Sequence, residues 1–105
     1  QYEDLDLINK RFILFQQNGK VGLMDLNMNV IIDAMYTSIM QQDHYFILSG
    51  ELGNALVDEK GTQIVPFDSW LIYSIDHNHL AVVRENSGEI IQYIEKQTGT
   101  VINKP

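Results

Sequence analysis

Apolar residues in this chain come in short runs, and turn-forming residues separate the runs at regular intervals. Phe12-Ile13-Leu14-Phe15 is followed by Asn18-Gly19, and Val30-Ile31-Ile32 follows a stretch of Asp and Asn. Short runs of β-branched and aromatic residues bounded by Gly, Asn and Asp predict strands. Strands are expected near 12–16, 21–25 and 30–32, near 45–49, 54–58 and 63–65, and near 80–84, 90–95 and 100–102. This spacing leaves no room for a typical helix. Asn18-Gly19 is a strong two-residue hairpin signal, because both residues tolerate positive φ. Further turns are expected at Gly50–Gly53, at Glu59-Lys60-Gly61, at Asn86-Ser87-Gly88 and at Thr98-Gly99. Pro66 and Pro105 are expected to follow strands, where a missing amide donor does least harm. Segments 36–39 and 69–73 fit either an extended chain or a short helical turn.

The pattern repeats. With the chain shifted against itself by 33 residues, Leu23 meets Leu56, Asp25 meets Asp58, Ile31 meets Ile64 and Ile39 meets Ile72. Residue type is kept at Phe12 with Tyr45, Leu14 with Ile47, Met24 with Val57 and Ile32 with Val65. A third copy follows in Leu80–Val83, Tyr93-Ile94-Glu95 and Val101-Ile102, with about four residues inserted most simply within Glu85–Glu89. The expected domain is a single β-repeat unit over 1–105, with copies at 8–40, 41–73 and 74–105. Residues 1–7 resemble the tail of a preceding copy, since Tyr2-Glu3-Asp4-Leu5 is similar to Tyr36-Thr37-Ser38-Ile39. A longer array is therefore expected. One hairpin unit cannot bury a face alone, so the copies must pack on one another. The expected fold is all-β: antiparallel hairpins forming a meander, solenoid-like or barrel-like sheet, with the open meander favoured.

Asn18-Gly19-Lys20-Val21-Gly22-Leu23-Met24-Asp25, then Val30-Ile31-Ile32, then Tyr36-Thr37-Ser38-Ile39, resembles the bacterial WG-repeat (KWG-repeat) family. Val21 stands where the family's name-giving Trp would be. The second copy has Asn54-Ala55 at the Trp-Gly pair but keeps Leu56, Asp58, Gly61, Ile64-Val65 and Pro66. The third keeps Tyr93-Ile94-Glu95, Gly99 and Val101-Ile102. The resemblance implies a bacterial β-repeat module and supplies no catalytic residue.

Composition narrows the function classes. Fourteen acidic against seven basic residues give a net charge of −7. That balance disfavours nucleic acid, whose nonspecific affinity comes from Lys and Arg neutralising phosphates, and it disfavours an anionic membrane surface. No run approaches the roughly 18 apolar residues of a spanning helix, so no membrane insertion is expected. With no cysteine, disulfides, thiol nucleophiles and thiolate metal sites are excluded. No basic-then-apolar leader is visible. The chain starts at Gln1, so the compartment stays open.

Candidate chemistry is sparse. Asp25, Asp58 and Glu95 recur at one repeat position. Three carboxylates can bind a cation such as calcium, but Asp beside a Gly-containing turn more often bonds backbone amides and sets the turn. Asp43-His44 and Asp76-His77 also lie 33 apart, and His79 would share a strand face with His77 if that segment were extended. His44, His77 and His79 are the candidates for a zinc site, against the plainer reading of solvated turn residues. No serine has a Gly-x-Ser-x-Gly context, and the glycines punctuate hairpins rather than cradle phosphates. No enzyme activity and no cofactor are expected. Tyr36, Trp70 and Tyr73 are the candidate partner-binding residues, since exposed Trp and Tyr suit a protein hot spot or a sugar face, against the plainer role of packing between repeats. The expected function is a non-enzymatic interaction or scaffold module. It would bind a protein, or further repeats of its own parent chain, through loops or the 36–39 and 69–73 segments. The alternative is a glycan-binding module of the cell envelope using Trp70, Tyr73 and Tyr36.

Overall fold

A computed structural model describes residues 2–104. Among them there is no helix, and twelve strands form three four-stranded antiparallel sheets. The first sheet contains β1 (Asp4–Ile8), β2 (Phe12–Gln17), β3 (Lys20–Asp25) and β4 (Val30–Tyr36). The second contains β5 (Ser38–Gln42), β6 (Tyr45–Gly50), β7 (Gly53–Asp58) and β8 (Gln63–Asp68). The third contains β9 (Trp70–Ser74), β10 (His79–Arg84), β11 (Ile90–Glu95) and β12 (Val101–Asn103). Strands follow one another in chain order within every sheet, and no sheet closes into a barrel. The open repeat meander is the observed form.

The segments at 36–39 and 69–73 resolve as extended chain. Each leads into the first strand of the next sheet: Ile39 pairs with Leu48, and Ile72 with Val82. Leu5 pairs with Phe15 in the same way. Sheet boundaries therefore fall at Thr37 and Ser69. Tyr2 to Leu5, which read as a repeat tail, opens the first sheet.

Turn chemistry sets the hairpins. Asn18 and Gly19 have φ of 54° and 76° and join Gln17 to Lys20 directly, as a tight turn matched to strand twist requires. Asn9 and Lys10 also take positive φ, 55° and 59°, in the three-residue β1–β2 turn that Arg11 completes. The extra residues of the third repeat are split. The β10–β11 turn has five residues, 85–89, where the β6–β7 turn has two, 51–52. A further residue lengthens the Asp76–Asn78 turn relative to Asp43-His44. Pro66 does not follow its strand but lies inside β8. It is tolerated there because β8 is an edge strand with a register shift against β7. Pro105 lies outside the described residues.

The sheets stack face to face, and each has a backward face toward the preceding sheet and a forward face toward the next. Forward residues Phe12, Leu23 and Ile32 meet backward residues Ile39, Phe46, Leu48 and Val57. Forward residues Tyr45, Ile47, Leu56 and Val65 meet Ile72, Leu80, Val82 and Ile94. The second sheet is thus covered on both sides, and Tyr45-Phe46-Ile47-Leu48 within it is an unbroken, buried apolar run. Strands buried on both faces lose the apolar–polar alternation. Phe12 and Phe46 meet edge to face across the first interface, with centroids 5.2 Å apart.

Gly22 marks a close backbone approach. A Cβ there would come within 2.7 Å of the Ile32 carbonyl oxygen and 2.8 Å of the Ala34 nitrogen. Gly22→Ala is expected to lower stability by about 1–3 kcal/mol through overpacking. Leu56→Ala, at a position with no exposed surface, should cost about 2–5 kcal/mol. Leu5→Ala on the outer face should cost about 0.5 kcal/mol or less. Urea unfolding of the three variants checks this ranking, and an equal cost for Leu5 and Leu56 would contradict the stacking described.

Candidate functional site

The recurring acids sit at equivalent turns. Asp25 Oδ1 accepts the backbone N–H groups of Asn27 at 2.8 Å and Asn29 at 2.9 Å. Asp58 Oδ1 accepts those of Lys60 and Thr62, both at 2.9 Å. Glu95, one methylene longer, accepts the Thr98 hydroxyl at 2.9 Å and leaves the closing bonds to the backbone. These carboxylates spend their lone pairs on the loops that follow them, which is the turn-setting role. The Asn29 amide groups hold the Asp25 carboxyl below its ordinary value.

The histidines occupy turns and do not converge. His44 is at the exposed tip of β5–β6, with Nδ1 3.9 Å from Glu59 Oε2. His77 lies exposed in the β9–β10 turn, the same repeat position. That segment is bent rather than extended, so His77 and His79 do not share a strand face. His79 begins β10, and its Nδ1 is 3.0 Å from Asp76 Oδ1. Asp76 also accepts the Asn78 N–H at 2.7 Å, and that bond first, then His79, keeps its carboxyl below the ordinary range. Among the described residues no three His, Asp or Glu side chains form a ligand set.

Tyr36, Trp70 and Tyr73 fall in three separate places. Tyr36 stacks on Phe67 across the first interface, with centroids 5.5 Å apart and rings 13° from parallel. Trp70 packs against the second interface, its Nε1 donates to the Pro66 carbonyl at 2.8 Å, and the Arg84 guanidinium lies 5.7 Å from its ring centroid. Tyr73 is exposed on the forward face of the third sheet, beside Ala81. Two of the three therefore tie sheets together.

Polar clamps that sequence reasoning missed close the interfaces at one end. Arg11 grips Glu59 through two bonds of 2.9 and 3.2 Å, linking the first and second sheets. The Lys96 ammonium donates to Ser74 Oγ at 2.7 Å and the Asp76 carbonyl at 2.8 Å, and lies 3.3 Å from Asp43 Oδ2. The Tyr45 hydroxyl donates to the Lys96 carbonyl at 2.7 Å from inside the second interface. At the opposite end of β7, Asn54 Nδ2 donates to the Trp70 carbonyl at 2.6 Å. Tyr45 occupies the position of Phe12 one repeat earlier, so the only signal was the added hydroxyl on an otherwise apolar face.

Burial raises the Tyr45 phenol above its ordinary value of 10.0, and the charges of Asp58, Asp43 and Glu95 push the same way. A raised folded value means the neutral hydroxyl contributes stability that is intact below about pH 10 and is lost as pH rises through the folded value. The lowered carboxyls of Asp25, Asp43 and Asp76 work in reverse. Their contribution is intact above the ordinary value of 3.8 and lost as pH falls through the folded values. Tyr45→Phe is expected to lose about 1 kcal/mol at pH 7 with its hydrogen bond. It should also flatten the alkaline fall in stability, so the gap to wild type closes above pH 10. Urea midpoints from pH 7 to 11 check this, and a constant gap would show that ionised Tyr45 is tolerated.

Comparison with protein-family models, with curated proteins and with solved structures finds no match for this chain.

Proposed function

We propose that this chain is a non-enzymatic interaction or scaffold module of the WG-repeat type, and that its docking surface is the pair of sheet faces at the two ends of the stack. The observation that carries this reading is that both end faces are apolar and expose large side chains along their edge strands, although their centres, Phe15 and Met24 at one end and Ala81 and Val83 at the other, are covered. On the backward face of the first sheet, Leu5 is 52% and Leu7 59% exposed. On the forward face of the third, Tyr73, Ile75 and Ile102 are exposed around the small side chain of Ala81. Exposed apolar patches of this kind mark interaction sites. The other features support it by being already engaged: the acids in turns, Tyr36 and Trp70 in the interfaces, and Lys96 in its clamp. The net charge of −7 supports a protein partner over nucleic acid.

The test is capture by the immobilised chain from lysate and envelope fractions, with soluble cell-wall glycan as competitor. A discrete protein is expected to be retained in the presence of glycan and lost from the Leu5→Lys and Ile102→Lys variants. Release of everything by glycan would overturn the proposal in favour of a sugar-binding module.

A further inference from the structure

The two internal interfaces follow one rule, and that rule specifies what fits the free faces. In both, a forward face meets a backward face. In the first, β5 lies against β3; in the second, β9 lies against β7. The first strand of each sheet thus seats over the third strand of the sheet before it. The strand pairings give the equivalent positions. Leu5, Ile39 and Ile72 pair with Phe15, Leu48 and Val82 respectively. Leu23, Leu56 and Tyr93 pair with Ile32, Val65 and Ile102.

Exposure separates the ends from the interior at these same positions. Ile39 and Ile72 are 6% and 7% exposed, whereas Leu5 is 52%. Ile32 and Val65 are 7% and 0% exposed, whereas Ile102 is 40%. Leu5 and Ile102 are therefore interface residues without an interface. Behind these edge residues both faces are apolar but already covered, with Phe15 and Met24 3% and 0% exposed at one end and Ala81 and Val83 0% and 3% at the other, so docking would engage the edge strands. Ile13 pairs with Met24 behind Leu7, as Phe46 pairs with Val57 in the second sheet. Opposite, Ile75, Asp76, His79, Tyr93 and Ile102 line a groove of about 330 Å³. One end presents protruding leucines and the other a depression.

We propose that the backward face of the first sheet docks onto the forward face of the third sheet of a second copy of this chain, with β1 seated over β11 and Leu5 and Leu7 entering the groove beside Tyr93. This deepens the interaction-module reading and rests on it. Because the two faces differ, the contact is head to tail, and each copy keeps one open end after pairing. Like net charges repel the copies, so association strengthens as salt screens them.

A head-to-tail contact has a signature that no symmetric contact shares. Wild type and the variants Leu5→Lys and Ile102→Lys, both at exposed positions, are compared by sedimentation velocity after circular dichroism confirms the β fold. Wild type is expected to gain mass with concentration above its 12.1 kDa monomer. Each variant alone should self-associate at least about tenfold more weakly. An equimolar mixture of the two variants should form a dimer and nothing larger, since each supplies the face the other lacks. Self-association of either variant at wild-type strength would overturn the proposal by showing a symmetric contact or one elsewhere. A strictly monomeric wild type overturns it as well. If that monomer still captures another protein through Leu5 or Ile102, the interaction-module reading survives, and if it captures none, both fall.

Discussion

Everything in this molecule depends on the face-to-face packing of sheets that cannot stand alone. A four-stranded meander has little core of its own, and here each sheet acquires its main apolar cluster from its neighbour. The second sheet receives two neighbours, and its strand β6 is buried from Tyr45 to Leu48. The stacking also dictates where polarity is allowed. Side chains that cross between sheets with a polar group, such as Tyr45, Asn54 and Lys96, do so at the sheet margins and find backbone or side-chain partners there. No buried side-chain polar atom among the described residues lacks a partner, as burial without water demands.

The clamps and the apolar contacts have different roles. Arg11 and Glu59 are both partly solvated, and such a pair contributes little to stability. Their two-bond geometry instead fixes how one sheet is rotated on the next. The apolar faces supply the attraction, and the polar ends supply the register. That division accounts for the drift between repeats. Phe12 can become Tyr45, and Val21 can become Asn54, because each change adds a bond across the next interface without removing the packing beneath it.

Local chemistry was legible in the sequence, and long-range chemistry was not. Asn18-Gly19 specifies its own turn, and Asp25 and Asp58 specify theirs, because the atoms involved lie within a few residues. The alternation of runs and turns therefore located the strands and the repeat. Segments 36–39 and 69–73 stayed ambiguous because extension there is imposed by pairing with Leu48 and Val82, not by propensity. Pro66 was placed one step too late because an edge position is a property of the sheet. Lys96 reads as one more scattered surface charge until the fold brings Asp43 and Ser74 to it across an interface. Trp70 and Tyr36 drew attention as large aromatics, and their engagement with Arg84 and Phe67 depends on contacts that no local window contains.

The strictly consecutive strand order has a consequence for how the molecule comes apart. Each sheet is a continuous stretch of chain, and each touches only the sheets before and after it. Such a chain behaves as three linked cooperative units rather than one. The first or third sheet can open by giving up a single interface, while the second must give up two. Amide exchange should therefore be slowest in β6 and β7 and graded toward both ends. A cleavage in either outer sheet would leave the other two still paired.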